Sequence, residues 1–208
     1  MQKNLLFLSV VLLMTTAFNL SAQYSETDST FKRWFVGSTL LMLGNFIPDD
    51  PNPPKFMQVN AGYRITAKDV VFVELKSSRF AWPLGIPWGK HFDAPGENYP
   101  GYIGQYVLGI AYNRFWWKGF YTGVHAMNAF QEYKNEENQK IANGFTLFMT
   151  YRAGYQFTFL DNRFFFEPSI GLTHWHFQTN VPQSFKAVES KWSKYFGYEP
   201  GLHFGFNF

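Results

Sequence analysis

The sequence contains no cysteine among its 208 residues. This absence excludes a disulfide-bonded scaffold, a thiolate zinc site, a cysteine nucleophile and a lipoprotein anchor attached through cysteine. Charged residues are also scarce, at 16% of the chain against the roughly 25% that is usual for soluble domains. The formal net charge is only +3, so the chain lacks the strong basic bias that is typical of a nucleic-acid-binding protein.

Long hydrophobic runs are also missing. After the N-terminal segment, the chain contains no stretch of 18 or more apolar residues. The N-terminal segment itself has the pattern of a secretory signal peptide, with Lys3 ahead of the apolar stretch 5–14 and a tail, 19–22, that offers cleavage after Ala22. We therefore expect residues 1–22 to be a signal peptide. The polar residues 23–30 then form a flexible leader.

Aromatic residues, by contrast, make up 21% of the chain, and near the C-terminus they alternate with small and polar residues. The even positions are almost all apolar or aromatic: Trp192, Lys194, Phe196, Tyr198, Pro200, Leu202, Phe204, Phe206 and Phe208. The odd positions are Ser193, Tyr195, Gly197, Glu199, Gly201, His203, Gly205 and Asn207. Because successive side chains of a strand point to opposite faces, this pattern predicts a strand with one apolar face.

Similar alternation recurs along the chain and predicts eight strands, most of them as long as a tilted transmembrane strand needs to be. The predicted strands are 34–43, 57–66, 70–80, 103–113, 119–130, 143–159, 164–177 and 192–208.

The links between these strands alternate between short and long. The short links lie around 67–69, 115–118 and 160–162, and the long ones are 44–56, 81–102, 131–142 and 178–191. This layout predicts an all-β fold over residues 31–208, an eight-stranded antiparallel up-and-down transmembrane β-barrel with every long loop at one end.

Tryptophan positions agree with that layout, because indole rings are favoured at both membrane interfaces. Trp34, Trp116 and Trp117 fall at the predicted inner end of the barrel. At the predicted outer end fall Trp82, Trp88, Trp175 and Trp192.

The last eight residues, from Gly201 to Phe208, end on a phenylalanine with apolar residues at alternate positions before it. Together with the strand pattern, this ending resembles the small eight-stranded outer-membrane barrels of Gram-negative bacteria, the OmpA/OmpX/Ail-like class. The resemblance implies a monomer in the cell outer membrane, in contact with lipid and lipopolysaccharide. It also implies that Phe204, Phe206 and Phe208 form the assembly signal read by the barrel-insertion machinery.

Six charged residues fall on the predicted lumen face, and their formal charges sum to zero. They are Arg64, Glu74, Lys76, Arg152, Glu167 and Glu199. Buried charges must be paired, so we expect an ion-pair network that plugs the lumen. The alternative is a narrow gated ion path through the same residues.

His174 and His176 form a weak pair at the outer end of the seventh predicted strand. No third ligand can be named, so no metal site is assigned, and no cofactor motif is present. The lipid A deacylases among the outer-membrane barrels contain the pattern His-x-Ser followed by a glutamate. Here Glu189 follows His174 at a similar spacing, but the serine is missing, so no catalytic residue is assigned.

We therefore expect a structural or surface-recognition role carried by the extracellular loops, with an unidentified ligand or partner. Two alternatives stay open: a membrane-embedded enzyme that modifies lipid A or phospholipid, and a narrow ion channel.

Overall fold

The structure, a computed structural model, describes residues 26–27, 29–47, 53–83 and 98–208. The predicted signal peptide 1–22 lies outside the described residues, as does part of the predicted leader. The strands are β1 (Trp34–Thr39), β2 (Met57–Arg64), β3 (Asp69–Phe80), β4 (Tyr102–Trp117), β5 (Phe120–Lys134), β6 (Lys140–Tyr155), β7 (Phe157–Phe159), β8 (Phe164–Thr179) and β9 (Tyr195–Asn207). A 3₁₀ helix (Leu40–Phe46) follows β1, and the α-helix α1 (Gln183–Glu189) lies between β8 and β9.

The strands form a ring in which neighbours in sequence pair antiparallel, apart from β6 and β7, which share one position. The short strand β7 continues β6 after a break at Gln156, and both pair with β8. The last strand, β9, pairs with β8 and with β1. The prediction of an all-β, antiparallel, up-and-down arrangement with eight strand positions is therefore confirmed. In the described part of the chain, no helix combines the length and apolar character needed to cross a membrane.

The connections divide the ring into two ends. The short-turn end carries the links 65–68, 118–119 and 160–163, and the loop end carries the links 40–56, 81–101, 135–139 and 180–194. The first predicted strand, 34–43, is too long, because the chain leaves the sheet after Thr39. The Thr39 hydroxyl accepts a hydrogen bond from the Leu41 amide and caps the 3₁₀ helix.

The third long link is much shorter than predicted. The expected loop 131–142 is mostly strand, and only 135–139 connects β5 to β6. Backbone pairing continues past the apolar part of both strands, and Glu132 Oε1 lies 3.4 Å from Lys140 Nζ across the pair. The charged residues of this segment therefore belong to strands that extend into water. They do not indicate where the strands end.

Apolar side chains face outward around the ring, and the interior contains many polar side chains together with smaller apolar clusters. On β4, for example, Tyr106, Leu108 and Ile110 are exposed while Gln105 and Asn113 are buried. The buried polar and charged residues include Gln58, Asn60, Arg64, Glu74, Gln105, Asn113, His125, Gln131, Thr146, Thr150, Arg152, Glu167, Thr173 and Asn207. This distribution is the reverse of that in a water-soluble domain.

Buried apolar clusters sit at three levels of the interior. Near the short-turn end the cluster contains Phe35, Val70, Phe72, Ala111, Phe115, Tyr121 and Phe165. Val107, Met127 and Ala129 form a second, smaller cluster. At the loop end, Phe185 of α1 is fully buried against Tyr99 and Tyr133, and this contact seats α1 on the mouth of the ring.

The loop-end tryptophans that the structure describes do not form an outward belt. Trp34, Trp116 and Trp117 are exposed at the short-turn end, but Trp82, Trp175 and Trp192 line a cavity inside the mouth. Trp175 faces inward because it follows the buried residues Gly171 and Thr173 at two-residue spacing on β8. The extra residue His176 shifts only the residues after it, so that Phe177 is exposed and Gln178 lines the cavity. Trp88 lies outside the described residues.

Candidate functional site

Glu74 of β3 is the centre of the first polar cluster in the interior. Its carboxylate lies 2.8 Å from Lys76 Nζ and 2.5 Å from His125 Nδ1. The side-chain amide of Gln58 also donates to it, at 3.3 Å. Glu74 is only 1% exposed, so these three side chains compensate its charge in place of water.

Arg64 and Glu167 belong to a second cluster nearer the short-turn end, and an amide side chain links them. Gln156 Nε2 donates to Glu167 Oε2 at 2.8 Å, while Gln156 Oε1 accepts from Arg64 Nη2 at 2.9 Å. The Tyr121 hydroxyl donates to the other oxygen of Glu167 at 2.6 Å. The guanidinium of Arg64 also lies over the ring of Phe115, 5.6 Å from its centroid.

Arg152 and Glu199 form the third cluster by direct contact. Arg152 Nη2 lies 2.5 Å from Glu199 Oε1, and Nη1 donates to the Ser169 hydroxyl at 3.0 Å. The Thr173 hydroxyl donates to the remaining oxygen of Glu199. A side chain at Gly201 would occupy the place of this guanidinium, so the glycine makes room for the ion pair.

The six charged residues predicted for the interior are thus distributed over three clusters. Two pairs are in direct contact, Glu74 with Lys76 and Arg152 with Glu199, and the third is joined through Gln156. Sequence reasoning had not assigned roles to Gln58, Tyr121 or Gln156. The alternation already places Gln156 on the same face as Arg152, whereas an aromatic residue such as Tyr121 gives no sign that it faces inward.

A cavity of about 540 Å³ opens at the loop end of the ring. Its aromatic wall consists of Phe80, Trp82, Tyr99, Trp175 and Trp192, and its polar wall includes Gln105, Gln131, Gln178, Asn180, Lys186, Glu189, Ser190, Ser193 and Lys194. We call this space the mouth cavity. It combines stacking surfaces with hydrogen-bonding groups, which is the composition of a small-molecule site.

Glu189 is held in a fixed position within the mouth cavity. Its carboxylate accepts hydrogen bonds from the Tyr99 hydroxyl at 2.9 Å and from Gln178 Nε2 at 3.3 Å. Burial raises the pKa of the Glu189 carboxyl above its ordinary value, although both hydrogen bonds oppose that shift. Burial and the neighbouring Glu189 raise the pKa of the Tyr99 hydroxyl, so the tyrosine remains a hydrogen-bond donor.

His174 and His176 stand close together on β8, with ring centroids 3.9 Å apart. His174 also stacks on Tyr195 at 4.2 Å. The described residues contain no group of three or more His, Cys, Asp or Glu side chains that could hold a metal ion. Glu189 lines the mouth cavity and neither histidine does, so the residues compared with a deacylase pattern lie on different surfaces.

The three C-terminal phenylalanines lie on the outer face of the ring. Phe204 and Phe208 are exposed, and Phe206 contacts the rings of Phe164 and Phe208, with centroids at 5.1 Å and 6.3 Å. The backbone of Phe208 completes the pairing with β1. Its amide donates to the Trp34 carbonyl at 2.9 Å, and its carbonyl accepts from the Trp34 amide at 3.1 Å.

The interior clusters and the mouth cavity are the two features that a functional proposal must use.

The chain was compared with protein-family models, with curated proteins and with solved structures. No family model matches the sequence, and no curated protein or solved structure matches the chain.

Proposed function

We propose that this chain is a monomeric β-barrel protein of the bacterial outer membrane, with a structural or surface-recognition role carried by its loop end. In this proposal the short-turn end faces the periplasm and the loop end faces the medium. Lipid and lipopolysaccharide surround the outer face, and the barrel-insertion machinery assembles the protein. The three interior clusters fill the lumen.

The outward-facing apolar band is the main support for this proposal. Val59, Leu75, Ile110 and Ile170 lie on different strands, and each is exposed. A continuous apolar belt of this kind is unfavourable in water and favourable in hydrocarbon. The exposed indoles of Trp34, Trp116 and Trp117 at the short-turn end match the aromatic girdle expected at a membrane interface.

The filled interior supports a plugged barrel over a channel. Around Arg64, His125 and Glu167 the remaining cavity is about 20 Å³, which is room for roughly one water molecule. The apolar cluster around Phe115 occupies the same end of the interior. Of the described residues that line the mouth cavity, none is a histidine, the residue that the deacylase pattern requires.

Two isoleucine-to-lysine substitutions test the proposal. Ile110 is 60% exposed near the middle of β4, and Ile141 is 47% exposed at the loop end of β6, beyond the proposed bilayer. A lysine at the bilayer midplane destabilises a barrel by about 2–4 kcal/mol, and this cost falls to about 0–1 kcal/mol near the interfaces. We therefore expect Ile110→Lys to reduce the folded protein recovered from outer membranes, and Ile141→Lys to leave it near the wild-type amount.

The measurement is fractionation followed by gel electrophoresis with and without boiling, since folded barrels migrate differently from denatured ones. Surface substitutions on a water-soluble protein usually change stability by less than about 0.5 kcal/mol. Equal tolerance of both lysines, or recovery of the wild-type chain as a soluble periplasmic protein, would contradict the membrane assignment.

A further inference from the structure

The mouth cavity has the size and the two kinds of wall that a saccharide requires. Its volume of about 540 Å³ lies within the 300–1,000 Å³ that is usual for small-molecule sites. Trp82, Trp175 and Trp192 line it, and the flat C–H faces of a sugar ring stack on such rings. Gln178, Asn180 and Glu189 line it too. The amides of Gln178 and Asn180 can both donate to and accept from sugar hydroxyls, and the Glu189 carboxylate can accept from them.

The polar wall is built in advance of any ligand. Phe185 anchors α1 by burial against Tyr99 and Tyr133. The same helix carries Glu189, which the hydroxyl of Tyr99 and the amide of Gln178 orient. A carboxylate that is already oriented loses little side-chain freedom when it accepts a hydroxyl, which favours binding. A purely apolar ligand would displace water from the remaining hydrogen-bonding sites of these groups and offer no hydrogen bond in its place.

The charged side chains that line the cavity are mostly basic. Lys186 and Lys194 line it together with Glu189, so the lysines outnumber the carboxylate. We propose that the mouth cavity binds a mono- or disaccharide unit that carries an acidic group, with the sugar ring against the indoles and the acid toward the two lysines. This inference rests on the proposed function, because it names the ligand class of the loop end.

The test is isothermal titration calorimetry on the full chain, refolded in a phosphocholine detergent that contains no sugar headgroup. The probes are glucuronic acid and glucose, which share the sugar ring and differ in the acid. We expect saturable binding of glucuronic acid, with glucose weaker by at least about threefold. Trp175→Leu should weaken both by about tenfold, the factor that corresponds to 1.4 kcal/mol of lost contact.

A second variant keeps the test valid if Trp175→Leu fails to fold. Lys186 and Lys194 are exposed, so replacing both with glutamine should preserve folding, abolish the preference for glucuronic acid and leave glucose binding unchanged. The matched control replaces Lys68 and Lys118, two exposed lysines at the short-turn end, with glutamine. This control should bind like the wild type.

Three results would overturn the inference: no saturable heat with either sugar, equal affinity for the two sugars, or an equal loss in the control. If added lipopolysaccharide competes with glucuronic acid, the ligand is a sugar of the lipopolysaccharide of the membrane itself. If it does not compete, the ligand is a free sugar. Heat-modifiable migration, measured on the same samples, separates the two proposals. Folded protein that inserts but binds no sugar contradicts only the ligand assignment.

Discussion

Replacing Glu74 with leucine should lower the free energy of unfolding by about 3–5 kcal/mol, the usual cost of removing one partner from a buried charge cluster. The reason is the loss of the carboxylate that Lys76 and His125 both contact, at 2.8 Å and 2.5 Å. The lysine would then lie beside a leucine in the interior. Urea titration of the refolded protein in detergent micelles, followed by gel migration, measures the change.

The matched control is Val73→Ala, because Val73 is the neighbouring residue on the opposite face of β3 and is 43% exposed. It should change stability by less than about 1 kcal/mol. Arg152→Leu should cost less than Glu74→Leu, since the Glu199 side chain left behind is 29% exposed and can be hydrated. If Glu74→Leu proved as mild as Val73→Ala, the carboxylate could not be stabilising the interior.

The repeated two-residue pattern allowed the architecture to be predicted, because alternation is a local property of each strand. The faces of β4 follow the sequence pattern directly, with Gln105 buried and Tyr106 exposed. Pairing between neighbours then follows from the short turns, and the ring requires only that β9 meet β1. The alternation changes where a single extra residue interrupts a strand, as His176 does for Phe177 and Gln178, and the two-residue pattern could not predict that interruption.

The partners within the interior could not be predicted in the same way. Arg64 and Gln156 are far apart in sequence, and their contact depends on the register of strands that are not neighbours in the chain. The break at Gln156 between β6 and β7 places this amide between Arg64 and Glu167. Alternation gives the face of each residue, but its depth along the ring comes from the cumulative stagger of all the strands.

The mouth cavity was the least predictable feature, because it depends on the packing of a loop. The sequence 183–189 is only seven residues long and lacks a side-chain cap at its N-terminus. Isolated helices this short are unstable in water, so nothing local predicts one. The burial of Phe185 between two tyrosines of the rim provides the tertiary contact that stabilises it.

Deleting Phe208 should sharply reduce the amount of folded protein in the outer membrane. The deletion removes both backbone hydrogen bonds that join Phe208 to Trp34, at 2.9 Å and 3.1 Å. Each such bond contributes about 0.5–1.5 kcal/mol. The combined loss of about 1–3 kcal/mol changes an equilibrium constant by roughly 5- to 150-fold.

Two further variants separate the backbone of Phe208 from its ring. Phe208→Ala keeps the pairing with Trp34, so it should refold in detergent like the wild type. It should nevertheless assemble poorly in cells if the terminal aromatic ring is the signal that the insertion machinery reads. Phe159→Ala removes another exposed ring at the short-turn end and should assemble normally. Wild-type amounts of the Phe208 deletion in the outer membrane would show that neither the signal nor the last pair of hydrogen bonds is needed.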